Sequence, residues 1–191
     1  MSASQYIEDL MKREGGYANN PKDSGGETNY GITVATARAY GYTGLMRDLP
    51  YSTAQNIYLR RYWVEPKFHK VNEIYPALAE SLLDFGVLAG QRTAAAQLQR
   101  VLNVLNRQQR DYDDLDDDGR IGTITLAALQ AFLQKRGREG GGVLFGMVAA
   151  RQSVYLQELA ERRPKDEEFE YGWQLNRALD PFLSGKDFWP A

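Results

Sequence analysis

Residues 14–33 read EGGYANNPKDSGGETNYGIT, and the fold follows from how this stretch is understood. It comes after a short segment, Ser4 to Arg13, whose Tyr6, Ile7, Leu10 and Met11 fall at helical spacing. Ser2 or Ser4 can cap such a helix and Gly15–Gly16 can stop it, which sets Glu14 on its last turn. Asp23 lies nine residues further on and Thr28 five beyond that. The residues between are turn formers: Asn19, Asn20, Pro21, Ser24, Gly25 and Gly26. A loop of this composition can fold back over the helix end and hold a second carboxylate opposite the first.

Two carboxylates facing each other across a cleft are the minimum equipment for cleaving a glycosidic bond. One, kept protonated by an apolar setting, gives its proton to the leaving oxygen. The other activates water or stabilises positive charge on the sugar. Glu14 ends a helix near apolar helix faces, where desolvation raises a carboxyl pKa. Asp23 sits in a polar loop that favours its charged form. Spacing alone is a weak signal, because most Glu and Asp residues are solvated surface.

The motif carries more. Glu14-Gly15-Gly16-Tyr17, then Asn20-Pro21-Lys22-Asp23-Ser24-Gly25-Gly26, then Thr28-Asn29-Tyr30-Gly31-Ile32-Thr33 closely resemble the signature of glycoside hydrolase family 108. Those are phage and prophage N-acetylmuramidases. The order Glu, Asp, Thr is also similar to the phage-type lysozymes, with Thr28 one residue nearer Asp23 than their usual spacing. The resemblance implies that Glu14 is the general acid, that Asp23 positions or activates water, and that Thr28 helps hold that water. Tyr17, Asn29 and Tyr30, inside the same motif, are expected substrate contacts.

The 191 residues suffice for one ordinary core or two small ones. With 43% hydrophobic and 25% charged residues the composition is that of a soluble globular chain. The net charge of −2 gives no pull towards nucleic acid. Neither half is a basic arm, with nine basic against ten acidic residues up to residue 90 and fourteen against fifteen beyond it. The absence of cysteine removes disulfides, thiolate metal sites and cysteine nucleophiles. No stretch approaches eighteen apolar residues and no secretory pattern opens the chain, so export is expected to depend on another agent.

Along the chain, Thr33 to Tyr40 reads as a short helix capped by Thr33 and ended by Gly41. Ser52 to Trp63 reads as a second, with Ala54, Ile57, Tyr58, Arg61 and Tyr62 at helical spacing. Its Tyr58, Tyr62 and Trp63 form an aromatic wall that serves either core packing or sugar stacking; Tyr58 and Tyr62 are carried as candidate substrate contacts. His69, the single histidine, has no second ligand for metal and reads as a surface or loop residue. Pro76 to Ala89 has the apolar content of a central buried helix, in which Asp84 must be paired or hydrogen-bonded.

Gly90-Gln91-Arg92 marks the expected boundary between a domain of residues 1–90 and one of residues 91–191. Thr93 to Leu105 and Thr123 to Gln134 are helical stretches either side of an acidic run, Asp111 to Asp118. LQRVLN, DGRIGTITLAAL and the later YGWQLNR resemble the peptidoglycan-binding domain that usually follows a family 108 catalytic domain. Asp114, Asp116, Asp118 and Gly119 match four positions of an EF-hand loop, but Thr125 stands where its bidentate Glu belongs, which favours an acidic turn capping its own amides. Gly140–Gly142 is expected to break the chain before a last helix, Val143 to Arg162. Trp173, Phe182, Phe188 and Trp189 are expected to tie the C-terminus down.

The expected fold is therefore mainly α: a lysozyme-like catalytic domain with a small β-hairpin around residues 17–32, then a compact helical module packed on it. The resemblance implies hydrolysis of the β-1,4 bond between N-acetylmuramic acid and N-acetylglucosamine, with no cofactor and no metal. A lytic transglycosylase using Glu14 alone, or a non-catalytic wall-binding component, are the alternatives. Peptidoglycan glycan strands are the expected partner of a monomer that neither binds nucleic acid nor inserts stably in membranes. It would be made in a bacterial host's cytoplasm, pass the inner membrane through a holin pore as endolysins do, and act on the wall in the periplasm.

Overall fold

The computed structural model describes residues 3–14, 16–19, 26–185 and 187–190, with only the backbone described at residues 3, 13 and 14. The chain divides into two compact units, Met1–Glu65 and Pro66–Ala191.

In the first unit, α1 (Ala3–Glu14) buries Ile7, Leu10 and Met11, three of the four residues whose spacing predicts it. It packs on α3 (Tyr51–Leu59), and Gln55 Nε2 donates to Glu8 Oε1 at 3.2 Å between the two helices. Between them in sequence lies a hairpin of β1 (Thr28–Asn29) and β2 (Ile32–Thr33), antiparallel with Thr28 opposite Thr33. Its two-residue turn puts Tyr30 at φ 52° and Gly31 at φ 71°, the left-handed pair that matches the twist of a tight hairpin. Thr33 ends β2 and caps α2 (Val34–Ala39), its Oγ1 accepting from the Thr36 amide at 3.2 Å. Gly41, at φ 89°, follows the end of α2 as expected.

The helix expected from Ser52 to Trp63 does not run straight through. It is regular to Leu59, then widens into one π turn, Arg60–Val64, in which the Glu65 amide donates to the Arg60 carbonyl at 2.9 Å. Its start is set by Pro50 and carries no side-chain cap.

The second unit is mainly helical, with α4 (Phe68–Asn72), α5 (Pro76–Ala89), α6 (Gln91–Leu105), α7 (Thr123–Arg162), α8 (Glu167–Trp173) and α9 (Asp180–Leu183). His69 is half-buried in α4 rather than in a loop. Helix α5 has the predicted bounds, bracketed by Pro76 and by Gly90 at φ 88°. Its Leu78, Ala79, Leu82, Leu83 and Phe85 are buried against α4, α6 and α7. Asp84, the carboxylate in that run, accepts from Arg177 Nη1 at 2.8 Å and from Gln152 Nε2 at 2.6 Å.

Helix α7 differs from expectation. Its break falls at Gly137, with φ 61° and ψ −157°, while Gly140–Gly142 stay helical. Those glycines make room for the C-terminal segment instead. A Cβ on Gly142 would lie 2.0 Å from Trp189 Cζ3, and one on Gly141 would lie 2.3 Å from Pro190 Cγ. Tyr75 donates to the Gly141 carbonyl at 3.2 Å and also to the Phe188 carbonyl, and the Phe145 and Phe188 rings stack at 4.9 Å. The C-terminus is tied down as its aromatic residues suggest.

The acidic run is stitched to α6 by three amides. Asn103 exchanges both its hydrogen bonds with the Leu115 backbone, at 2.8 and 2.7 Å. Asn106 Nδ2 donates to Asp114 Oδ1 at 2.7 Å. Gln99, 2% exposed, accepts from the Gly119 amide at 2.9 Å and points its nitrogen at Asp118 Oδ1, the Arg120 carbonyl and Thr125 Oγ1. Asp118 Oδ1 also accepts from the Arg120 amide at 2.8 Å, the self-capping its turn composition predicts. Gly119 has φ 72°, and a Cβ there would meet the Arg92 carbonyl oxygen at 2.3 Å, so only glycine fits. Among the described residues no three metal-ligating side chains gather, and no helix is long and apolar enough to cross a membrane.

Candidate active site

All of the sequence-predicted site residues belong to the first unit. Glu14 is the last residue of α1, where its backbone leaves the helix; its side chain lies outside the described residues, as does Asp23 altogether. The chain is described again from Gly26, and Glu27 leads into the hairpin.

Thr28 is fixed from both sides. Its backbone exchanges two 2.9 Å hydrogen bonds with Ala18 and pairs with Thr33 across the hairpin. This short ladder ties the chain just after the α1 end to the strand that carries the threonine, and the side chain is half-buried. Tyr17, next to Ala18, donates to Glu27 Oε1 at 2.5 Å and lies under the Arg47 guanidinium, 5.7 Å from the ring centre. The Glu27 hydrogen bond, followed by partial desolvation, pushes the Tyr17 hydroxyl pKa upward. Tyr17 is 38% exposed and its ring remains available at the surface.

Asn29 and Tyr58 face inward. Asn29 is 4% exposed, with its Nδ2 donating to the Met46 carbonyl at 2.8 Å, which holds β1 to the turn at Met46–Asp48. Tyr58 is 6% exposed and donates to the Tyr30 carbonyl at 2.8 Å, bracing the left-handed hairpin turn from α3. Both side chains position the hairpin. Tyr30 itself is half-buried and packs edge-on against Tyr51, with ring centres 5.6 Å apart. Tyr62, in the π turn, is half-buried and stacks on Tyr58 at 5.6 Å with 17° between the planes. Of the aromatic wall, Tyr58 is therefore core and Tyr62 is the face it presents outward.

Between the hairpin and the π turn is an open notch of about 20 Å³, lined by Gly31, Ile32, Thr36, Ile57, Tyr58, Arg61 and Tyr62. Arg61 is the member that sequence reasoning did not single out. Helical spacing put it on one face with Ile57 and Tyr58, but the widening of the helix that aims it here has no compositional signature.

The comparisons with known proteins agree with this architecture. The family described as Glycosyl hydrolase 108 matches residues 7–90, and that described as Predicted Peptidoglycan domain matches residues 93–178. No curated protein sequence matches the chain. Among solved structures, that of Brucella abortus SagA is similar to it with a TM-score of 0.61 at 26% identity, covering 96% of this chain and 95% of that one. The mainly α fold with its small hairpin is thus lysozyme-like, followed by a helical module. A glycoside hydrolase family 108 domain over residues 7–90 is followed by a peptidoglycan domain over residues 93–178, and the chain is a peptidoglycan hydrolase.

Proposed function

We propose that the chain hydrolyses the β-1,4 bond between N-acetylmuramic acid and N-acetylglucosamine. Glu14 donates its proton to the bridging oxygen as the bond to the muramic C1 breaks. Asp23 takes a proton from the water that attacks C1 from the opposite face, and Thr28 helps hold that water. Tyr17, Tyr30 and Tyr62 line the glycan path, with Asn29 and Tyr58 positioning the hairpin behind them.

The observation that carries the reading is the pairing of Ala18 with Thr28. It anchors both ends of the segment that holds Asp23 immediately after the helix that ends in Glu14. A loop closed in this way suits a second carboxylate and a water, which a transglycosylase does not need. The family resemblance supports the setting as well: a monomeric endolysin made in a bacterial host's cytoplasm, released through a holin, and acting in the periplasm during phage lysis. Mass spectrometry of digested peptidoglycan tests the chemistry. Hydrolysis leaves reducing-end muramic acid, one water heavier than the 1,6-anhydro product of a transglycosylase. Spectra dominated by anhydro ends would overturn the assignment.

A further inference from the structure

The geometry points to Arg61 as a carboxylate-binding residue that reads the muramic side of the glycan. This inference rests on the proposed muramidase reading and names a feature of the substrate that reading leaves open.

Of the other described cations of the first unit, two have polar partners and two lie over tyrosine rings, as Arg61 does. Lys12 pairs with Asp9 at 3.1 Å, and Arg38 donates to the carbonyls of Tyr42 and Gly44 at 2.6 and 2.9 Å. Arg47 lies over Tyr17, and Arg60 lies 5.0 Å over the Tyr40 ring. Tyr40 in turn holds Glu65, donating to its Oε2 at 2.8 Å, so the nearest acid in sequence is occupied. Arg61 is exposed and rests 5.3 Å over the Tyr62 ring, and among the described residues no carboxylate pairs with it. The ring contact restrains the guanidinium while leaving its N–H fork unspent.

Two further features make this more than a surface arginine. The residue stands in a π turn, a local widening that recurs at functional sites because it re-aims side chains. It also lines the notch beside the hairpin whose first strand carries Thr28, together with Gly31 and Thr36. That notch is open to solvent and can admit a small polar group such as a carboxylate. The muramic unit offers such a group in two forms, its lactyl carboxylate when bare and the carboxylates of its stem peptide when substituted. N-acetylglucosamine offers none. A planar fork held by a half-buried tyrosine ring is an arrangement that can pair a carboxylate bidentately.

Binding of three disaccharides to the full-length chain, followed by NMR, tests this without turnover. The probes are N,N′-diacetylchitobiose, the N-acetylglucosamine–N-acetylmuramic acid disaccharide, and the same disaccharide bearing its tetrapeptide. Arg61→Ala should weaken one or both muramic ligands by about tenfold, the scale of a lost charge-assisted hydrogen bond, and leave chitobiose unchanged. Arg61→Lys should recover part of the loss. A loss confined to the bare disaccharide assigns the lactyl group, and one confined to the peptide-bearing ligand assigns the stem. Equal weakening of all three ligands, or of none, overturns the proposal. An anhydro product in the digestion experiment would sink the muramidase chemistry while leaving this binding difference to stand or fall separately.

Discussion

Asp84 Oδ1 accepts a 2.8 Å hydrogen bond from Arg177 Nη1, with both side chains 15% exposed. The first residue lies in the segment matched to the hydrolase family, the second in the segment matched to the peptidoglycan domain. The other carboxylate oxygen of Asp84 accepts from Gln152 at 2.6 Å. One carboxylate on α5 therefore serves two donors from the later segment, inside the unit that begins at Pro66. Asp84→Ala removes the acceptor from both in a setting with little water. It should cost about 3 kcal/mol, the usual scale for breaking a mostly buried pair by deleting one partner. Urea unfolding measures this, and a change within about 0.5 kcal/mol, the range of neutral surface substitutions, would show that the pair does not hold α5.

Truncation after residue 90 should fail for the same reason on a larger scale. Helix α5 would keep its length but lose α6 and α7, the surfaces that cover Leu78, Leu82, Leu83 and Phe85. Exposing several large apolar side chains on one helix favours aggregation. Residues 1–90 should be poorly soluble or weakly active. A soluble fragment with the lytic activity of the whole chain would show the hydrolase segment to be self-sufficient.

How much of this was legible depended on whether the signal was local. Helix α5 was legible to the residue because Pro76 and Gly90 bracket a continuous apolar run. The need of Asp84 for a partner was legible too, but Arg177 stands 93 residues away and nothing local names it. The glycines of α7 misled for a physical reason. Gly140–Gly142 look like a break, yet their missing side chains admit Trp189 and Pro190, while the lone Gly137 takes the left-handed turn. At the site, the motif named Glu14, Asp23 and Thr28 as candidates, and the hairpin was expected as part of the lysozyme-like fold. The inward orientation of Asn29 and the re-aiming of Arg61 depend on tertiary contacts and on one extra residue in a helical turn.

The acidic loop should set part of the acid stability of the second unit. The Arg120 amide and then Gln99 hold the Asp118 pKa below its ordinary 3.8. Hydrogen bonds from Arg107 and Arg100 do the same for Asp111 and Asp117. A folded pKa below the unfolded one gives stability that is present above the ordinary value and lost as pH falls through the lowered one. Urea midpoints should therefore drop from about pH 4 downward, and Asp118→Asn should flatten that decline. An unchanged slope in Asp118→Asn would mean that Asp118 contributes nothing to it.

Gln99→Leu probes the same loop at neutral pH. The substitution keeps the side chain's bulk but deprives the buried Gly119 amide of its acceptor. A loss of about 2 kcal/mol is expected, the penalty for one buried donor left unmade. A neutral result in urea unfolding would show that the loop keeps its shape without the glutamine.

The last prediction concerns Glu14 and Asp23. Helix α1 ends at Glu14, and the segment holding Asp23 is closed by the Ala18–Thr28 pairing. An inverting pair leaves space for a water between two carboxylates roughly 6.5–9.5 Å apart, the role the motif assigns to Asp23 opposite Glu14. We therefore expect inversion, with the α-anomer of muramic acid as first product. Glu14→Gln should lower turnover by roughly two orders of magnitude or more, as expected when a lone general acid is removed. Asp23→Asn should also cripple turnover while leaving wall binding intact, because the amide cannot accept the water's proton. Early-time NMR of the released reducing ends distinguishes the anomers before they equilibrate. A β-anomer as first product would exclude inversion and require Asp23 to act as nucleophile or ion stabiliser instead, whereas a fully active Glu14→Gln enzyme would move the acid elsewhere.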